Sequence, residues 1–354
     1  MTGFGENSMG HMIPRIEAPE IVIGLVSPIG TPLEDTIEEL KHNFNEYGYD
    51  VHEIRVTDAF EKMRKLIKPK KKLKKAPRKI RYERYIAYGN QLRKNRKDAS
   101  FLASLAIQSI AEKRIVTEHS RKERFTKSAY LIHQFKRPEE IDLLRSVYGK
   151  VFFQISVYSK RSSRVDYLSR LFAEDCSSGD HLPFRSDAER LVDIDENQSK
   201  KKYGQRVSKI FHDADYIVNI DTDEFNLSGQ IKRFTELLFS SNTITPNKIE
   251  YGMFAAKSAA LRTSDLSRQV GAAIFTKSGE IISMGSNEVP KAGGGTYWSD
   301  DDFDDRDFQR RKDSNDRRKK ELLDEMFNIL EVDEDQLTDK KRKLLSDSGS
   351  MDAL

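Results

Sequence analysis

Cysteine is nearly absent from this sequence: its 354 residues include one, Cys176. A disulfide framework within the chain is excluded, and a lone thiol fits a reducing compartment, so a cytoplasmic protein is expected. No apolar run approaches the roughly 20 residues that span a bilayer, and no membrane partner is expected. The N-terminal residues 1–18 are polar and glycine-bearing, unlike a signal peptide, and are expected to form a disordered tail. Imidazole is scarce as well, with seven histidines and none after His212. His133, His181 and His212 stand apart without the spacing of a metal pair, so polar or capping roles are the simpler reading. Cys176 sits in a loop with no cation beside it and reads as inert.

Charge, in contrast, is plentiful, and the net +4 conceals two opposed blocks. Residues 62–97 hold 17 Lys and Arg against one acid, Glu83, whereas residues 299–339 hold 16 acids and 8 bases. The first half of the basic block, KPKKKLKKAPRK, reads as an exposed, mobile loop. Its second half reads as a helix on which Tyr82, Tyr85 and Tyr88 pack rather than stack on bases. Such a block can hold nucleic acid electrostatically, but a basic insertion flanking a nucleotide cleft, or charge that serves solubility alone, is the favoured reading. The acidic block has no ligand spacing for a metal and reads as solvated, or as a cover for the basic block. Residues 299–354 as a whole are expected to be charged and partly helical.

Strand-like runs recur between amphipathic helices. Glu20–Val26 is a continuous apolar run, as expected of a strand buried on both faces. Further strands are predicted at Asp50–Val56, Ala129–Phe135, Val151–Tyr158 and Asp215–Ile220, with helices at 98–113, 138–148, 185–211 and 226–240. This alternation predicts an α/β domain over residues 19–244, a doubly wound parallel sheet of P-loop kinase-like architecture. The first strand runs into Gly24-Leu-Val-Ser27-Pro-Ile-Gly30-Thr31 and then a helix with acids in its first turn. Strand, glycine loop and helix form a phosphate-cradling arrangement. The P-loop pattern is broken, however: the two glycines are one residue too far apart, and no lysine precedes Thr31. Gly24, Ser27, Gly30 and Thr31 are thus candidates for holding a nucleotide phosphate without transferring it. Arg161 and Arg164, where a kinase lid would lie, are candidates for meeting phosphates.

Residues 251–298 have a different character. A small-residue helix (254–261), a polar elbow (263–268), strands at Val270–Phe275 and Glu280–Gly285, and a loop rich in glycine follow one another. The order SRQVGAAI, then GEIISMGSNEVP, resembles the start of the deoxycytidylate deaminase fold, a cytidine-deaminase-like α/β domain. The continuation through KAGGGTYW, with FKRPEEIDLLRSVYG at 135–149, is similar to the two-domain phage-defence dCTP deaminases. The resemblance spans roughly residues 19–298, with residues 245–298 as the start of the deaminase-like domain. It implies an antiviral enzyme that converts dCTP to dUTP with zinc, regulated by a nucleotide-sensing kinase-like domain. It further implies that Asn287 contacts the deoxyribose, that Arg268 and Lys291 line the substrate pocket, and that Gly293, Gly294 and Gly295 let backbone approach the substrate. Against this, the chain lacks the His-x-Glu and Pro-Cys-x-x-Cys motifs of zinc deaminases. Zinc is therefore expected to be absent and deamination incomplete. The alternative is a non-catalytic nucleotide-binding regulatory or assembly protein. The apolar hairpin at 270–285 leads us to expect a homo-oligomer.

Overall fold

The computed structural model describes residues 18–116, 127–133, 135–198, 201–221, 227–311 and 313–329. The expected tail, save Ala18, and the end of the charged segment lie outside them. The chain divides into two compact units, 1–244 and 245–354.

The first unit alternates strands and helices as predicted. It begins with β1 (Ile21–Val26), α1 (Glu34–Glu46), β2 (Asp50–Arg55), α2 (Ala59–Leu66), α3 (Arg78–Arg96) and α4 (Phe101–Val116). There follow β3 (Ser128–His133), α5 (Pro138–Tyr148), β4 (Phe152–Tyr158), α6 (Arg161–Asp175), α7 (Arg185–Glu196), the short α8 (Val207–Ile210), β5 (Tyr216–Asn219) and α9 (Leu227–Leu238). All five strands are parallel, in the order β2-β3-β1-β4-β5. This doubly wound α/β sheet is consistent with a P-loop kinase-like fold.

Side-chain alternation along β1 explains the layering. Ile21, Ile23 and Leu25 join Leu40 and Phe44 of α1 and Ile231 of α9, while Val22 and Val26 join residues of α4 and α5 on the other face. Gly24 is part of this strand and not of the loop that follows. A Cβ there would lie 2.8 Å from Phe152 Cζ, so its smallness serves packing on the central strand of the sheet. The predicted helix at 185–211 is broken after Glu196. The chain turns back so that Gln198 N donates to Gln205 O, and a Cβ on Gly204 would lie 2.6 Å from Gln198 O.

The second unit comprises α10 (Lys248–Ala260), the antiparallel pair β6 (Gly271–Phe275) and β7 (Ile281–Ser286), α11 (Asp307–Arg310) and α12 (Ser314–Ile329). Asn247 and Glu250 form a capping box at the start of α10. The helix meets the hairpin through Gly252, Ala255, Ala259 and Ala260, and Gly271 sits so close to the helix that a Cβ would overlap Ala256 O. The buried apolar residues described in this unit are those three alanines and Tyr297. Val270, Ile274, Ile282 and Met284 are each more than half exposed.

This contrast makes a prediction. A fragment of residues 18–244 will melt cooperatively, whereas one beginning at Thr245 will not, because a single hairpin and helix bury too little to hold themselves. Circular dichroism melts of the two fragments measure this.

Candidate functional site

A cavity of about 280 Å³ opens beyond the carboxyl ends of β1, β2 and β3. Chain paths from β1 and β3 leave in opposite directions, to β2 and to β4, and such a switch point is where open α/β sheets leave room for ligands. Part of the wall is the β1–α1 loop, with Ser27, Gly30 and Thr31. Thr31 N donates to Pro28 O at 3.2 Å, closing a turn in which Gly30 takes φ +86. A side chain there would be strained and would meet Arg164 O at 2.7 Å. The rest of the wall is largely apolar and aromatic: Val56, Phe60, Tyr85 and Leu102 belong to one cluster, whereas Tyr82 and Ile86 pack with Ile29 of the loop against α6.

The basic block supplies much of this wall through α3. Arg81, Tyr82, Tyr85, Ile86, Gly89 and Arg93 fall on one face of the helix and line the cavity. Tyr88 is buried and donates to Ile67 O at 2.7 Å. The second half of the basic block is thus a helix beside the cavity. The mobile loop expected of the first half requires correction, because Lys70 N, Gln91 and Arg84 also tie residues 67–72 to α3 by hydrogen bonds. Arg81 stacks over Tyr85 at 5.2 Å and has no ion pair among the described residues.

Sequence reasoning missed the groups that surround the loop. Lys136, between β3 and α5, donates to Ser27 O at 2.8 Å. Its ammonium also lies 2.9 Å from Asp195 Oδ1, and the carboxylate of Asp195 accepts the Ile29 amide at 2.7 Å. Lys136 is itself fixed by Glu140, whose Oε2 accepts its backbone N–H at 2.9 Å while Oε1 accepts two bonds from buried Arg93. The FKRPEE run carried Lys136 and Glu140 in plain view, but nothing in its spacing tied them to a loop more than 100 residues earlier.

Arg161 and Arg164 do not reach the cavity as free cations. Arg161 pairs with Asp193 at 2.6 Å. Buried Arg164 pairs with Glu196 at 2.7 Å and donates to Ser159 O and, at 3.5 Å, to Ile29 O. Both are taken up by α7 because its last turn carries three acids, Asp193, Asp195 and Glu196, at the end of a helix where the dipole favours cations.

Glu53 and His133 occupy the wall beneath β2 and β3. Burial alone would raise the Glu53 carboxyl, but hydrogen bonds from Arg55, Lys41 and His133 outweigh it and hold the group at about 2. Burial pushes the His133 imidazole down, against the pull of Glu53. Nε2 of His133 is 3.1 Å from Glu53 Oε1, so the neutral ring carries its proton on that nitrogen.

In the second unit, Asn287 is occupied by its own hairpin. Its Oδ1 accepts the Val270 amide at 2.9 Å and its Nδ2 donates to Arg268 O at 2.8 Å. These two bonds clasp the base of β6 and β7. Lys291 pairs with Asp301 at 2.8 Å. Gly293, Gly294 and Gly295 all have positive φ in a turn where Lys291 N donates to Gly295 O. Their glycine character is explained by that turn. Arg268 is exposed on the elbow. A zinc centre does not fit these residues: residues 245–354 contain neither His nor Cys, and the described residues bring together no group of three potential metal ligands.

No protein-family model matches the chain, and no curated protein matches it. Among solved structures, a protein called APE1195 is similar at 10% identity and TM-score 0.33, over 64% of this chain and 99% of its own. A gluconokinase from Sinorhizobium meliloti 1021 is similar at 13% identity and TM-score 0.26, over 63% of this chain and 98% of its own.

The Glu53 geometry yields a pH prediction. Its folded pKa lies below the ordinary 4.5, so its contribution is present above that value and lost as pH falls towards 2. Glu53→Gln should cost up to about 3 kcal/mol at neutral pH and progressively less below pH ~4.5. Urea melts of both proteins across pH 2–7 measure the difference.

Proposed function

We propose that the first unit is a non-catalytic nucleotide-binding module. The observation that carries this reading is the mixed lining of the cavity. A glycine-turned loop with Lys136, an apolar aromatic surface around Phe60 and Tyr85 that suits a base, and Arg81, without an ion pair among the described residues, line the same cavity. The loop supplies no lysine of its own. Glu34 and Glu38 also face the cavity, where a phosphoryl group in transfer would need cations.

The finer reading is a relative of the phage-defence dCTP deaminases whose sheet unit senses a nucleotide, dCTP or another nucleoside triphosphate. What supports it is the run of residues 261–298 and the 135–149 segment. With no zinc donor set, no deamination step is assigned to this chain. The bare faces of β6 and β7 support self-association of the second unit, since unpaired, apolar strand edges pair readily. The exposed lysines of residues 68–75 leave nucleic acid as a lesser partner.

Calorimetric titration with ATP, dCTP and dCMP tests the reading. At least one should bind in the micromolar range, corresponding to about −8 kcal/mol, and Arg81→Ala should weaken a triphosphate more than a monophosphate. The absence of binding by any of the three contradicts the module. Steady ATP-dependent phosphorylation of a deoxynucleoside monophosphate contradicts its non-catalytic character.

A further inference from the structure

Asp195 has an unusual position for a helix residue. It is fully buried, lies in the acidic last turn of α7, and comes from a segment 166 residues away from the loop amide it accepts. Its two close partners are the groups a phosphate would seek at this loop: the Ile29 N–H at 2.7 Å and the Lys136 ammonium at 2.9 Å. One of its oxygens, Oδ1, meets Lys136 across an ion-pair distance without a well-aligned hydrogen bond. A carboxylate and a phosphate oxygen make the same charge-assisted bonds to such donors, and both cannot occupy them.

We infer that Asp195 is a built-in competitor of the ligand phosphate: in the empty site it holds the loop amide and Lys136, and a nucleoside phosphate binds by displacing it. This rests on the reading of the cavity as a nucleotide site and specifies which groups take the phosphate. Lys136, reaching in from the β3–α5 connection, then supplies the cation that the β1–α1 loop lacks. Displacement also releases the middle one of the three acids that dock α7. The partners of the other two, Arg161 and Arg164, both lie on α6. Binding at the loop is thereby coupled to the hold on α7.

The competition gives two substitutions opposite signs. Asp195→Asn keeps an acceptor for Ile29 but removes the competing charge, so it should tighten the nucleotide that binds the wild type by roughly tenfold. Lys136→Met should weaken the same nucleotide by a similar factor. Hydrogen exchange on the wild-type chain, titrated with tripolyphosphate, provides an arm independent of either variant's folding. Residues 27–33 should gain protection while residues 185–196 lose it. Protection gained in both segments means that the anion binds beside Asp195, and the inference fails. Weaker binding by Asp195→Asn, removed in both proteins by chelating magnesium, makes Asp195 a ligand of a ligand-borne cation and also overturns it. If neither the wild type nor the variants bind nucleotide or tripolyphosphate, the nucleotide reading itself has failed.

Discussion

Three carboxylates at the unfavourable end of a helix dipole set the geometry around the site. Asp193, Asp195 and Glu196 crowd the last turn of α7, where exposed carbonyls already present negative potential. Each is met by a cation from elsewhere: Arg161, Lys136 and Arg164. Arg164 and Lys136 also donate to carbonyls of the β1–α1 loop, at Ile29 and Ser27. The loop, α6 and α7 are thus fastened through one charge cluster. Asp195, Lys136 and Arg164 are largely buried, so their pairing is little screened by salt. Removing one partner would leave an uncompensated buried charge.

The sheet order determines what this cluster faces. Because β3 lies between β1 and β2, the loops after β1 and β3 diverge and leave a gap. The basic block roofs the gap with α3, placing tyrosines inward and lysines outward. Glu140 ties the back of the gap together by fixing Arg93 and the Lys136 backbone at once. The lining of the cavity therefore comes from segments far apart in the chain that meet beyond the sheet.

That division explains which features were legible in the sequence. Strands β1 and β3 are buried along their whole length, and the apolar runs Ile21–Val26 and Ala129–Ile132 announced them. Gly30 was legible because a strand–helix turn with left-handed backbone requires such a residue. Arg161 and Arg164 were legible as cations on a helix, but their carboxylate partners were not. Local periodicity says nothing about a carboxylate 32 residues further on. Asp195 and Lys136 left no signal for the same reason, since their chemistry arises only when α7 and the β3–α5 connection converge. In the second unit, Asn287 and Gly293–Gly295 were singled out through the resemblance, for contact with a substrate. Hydrogen bonds within the hairpin and turn account for both.

The account's central claim is that one cavity at the sheet edge holds the nucleotide, with the base against the α2–α4 wall. Photolabelling the whole chain with an azido-purine triphosphate, followed by peptide mapping, tests this most directly. Labels should fall on peptides containing Phe60, Tyr82, Tyr85 or Leu102, and unlabelled nucleotide should abolish them. Competable labels confined to residues 245–329 would contradict it.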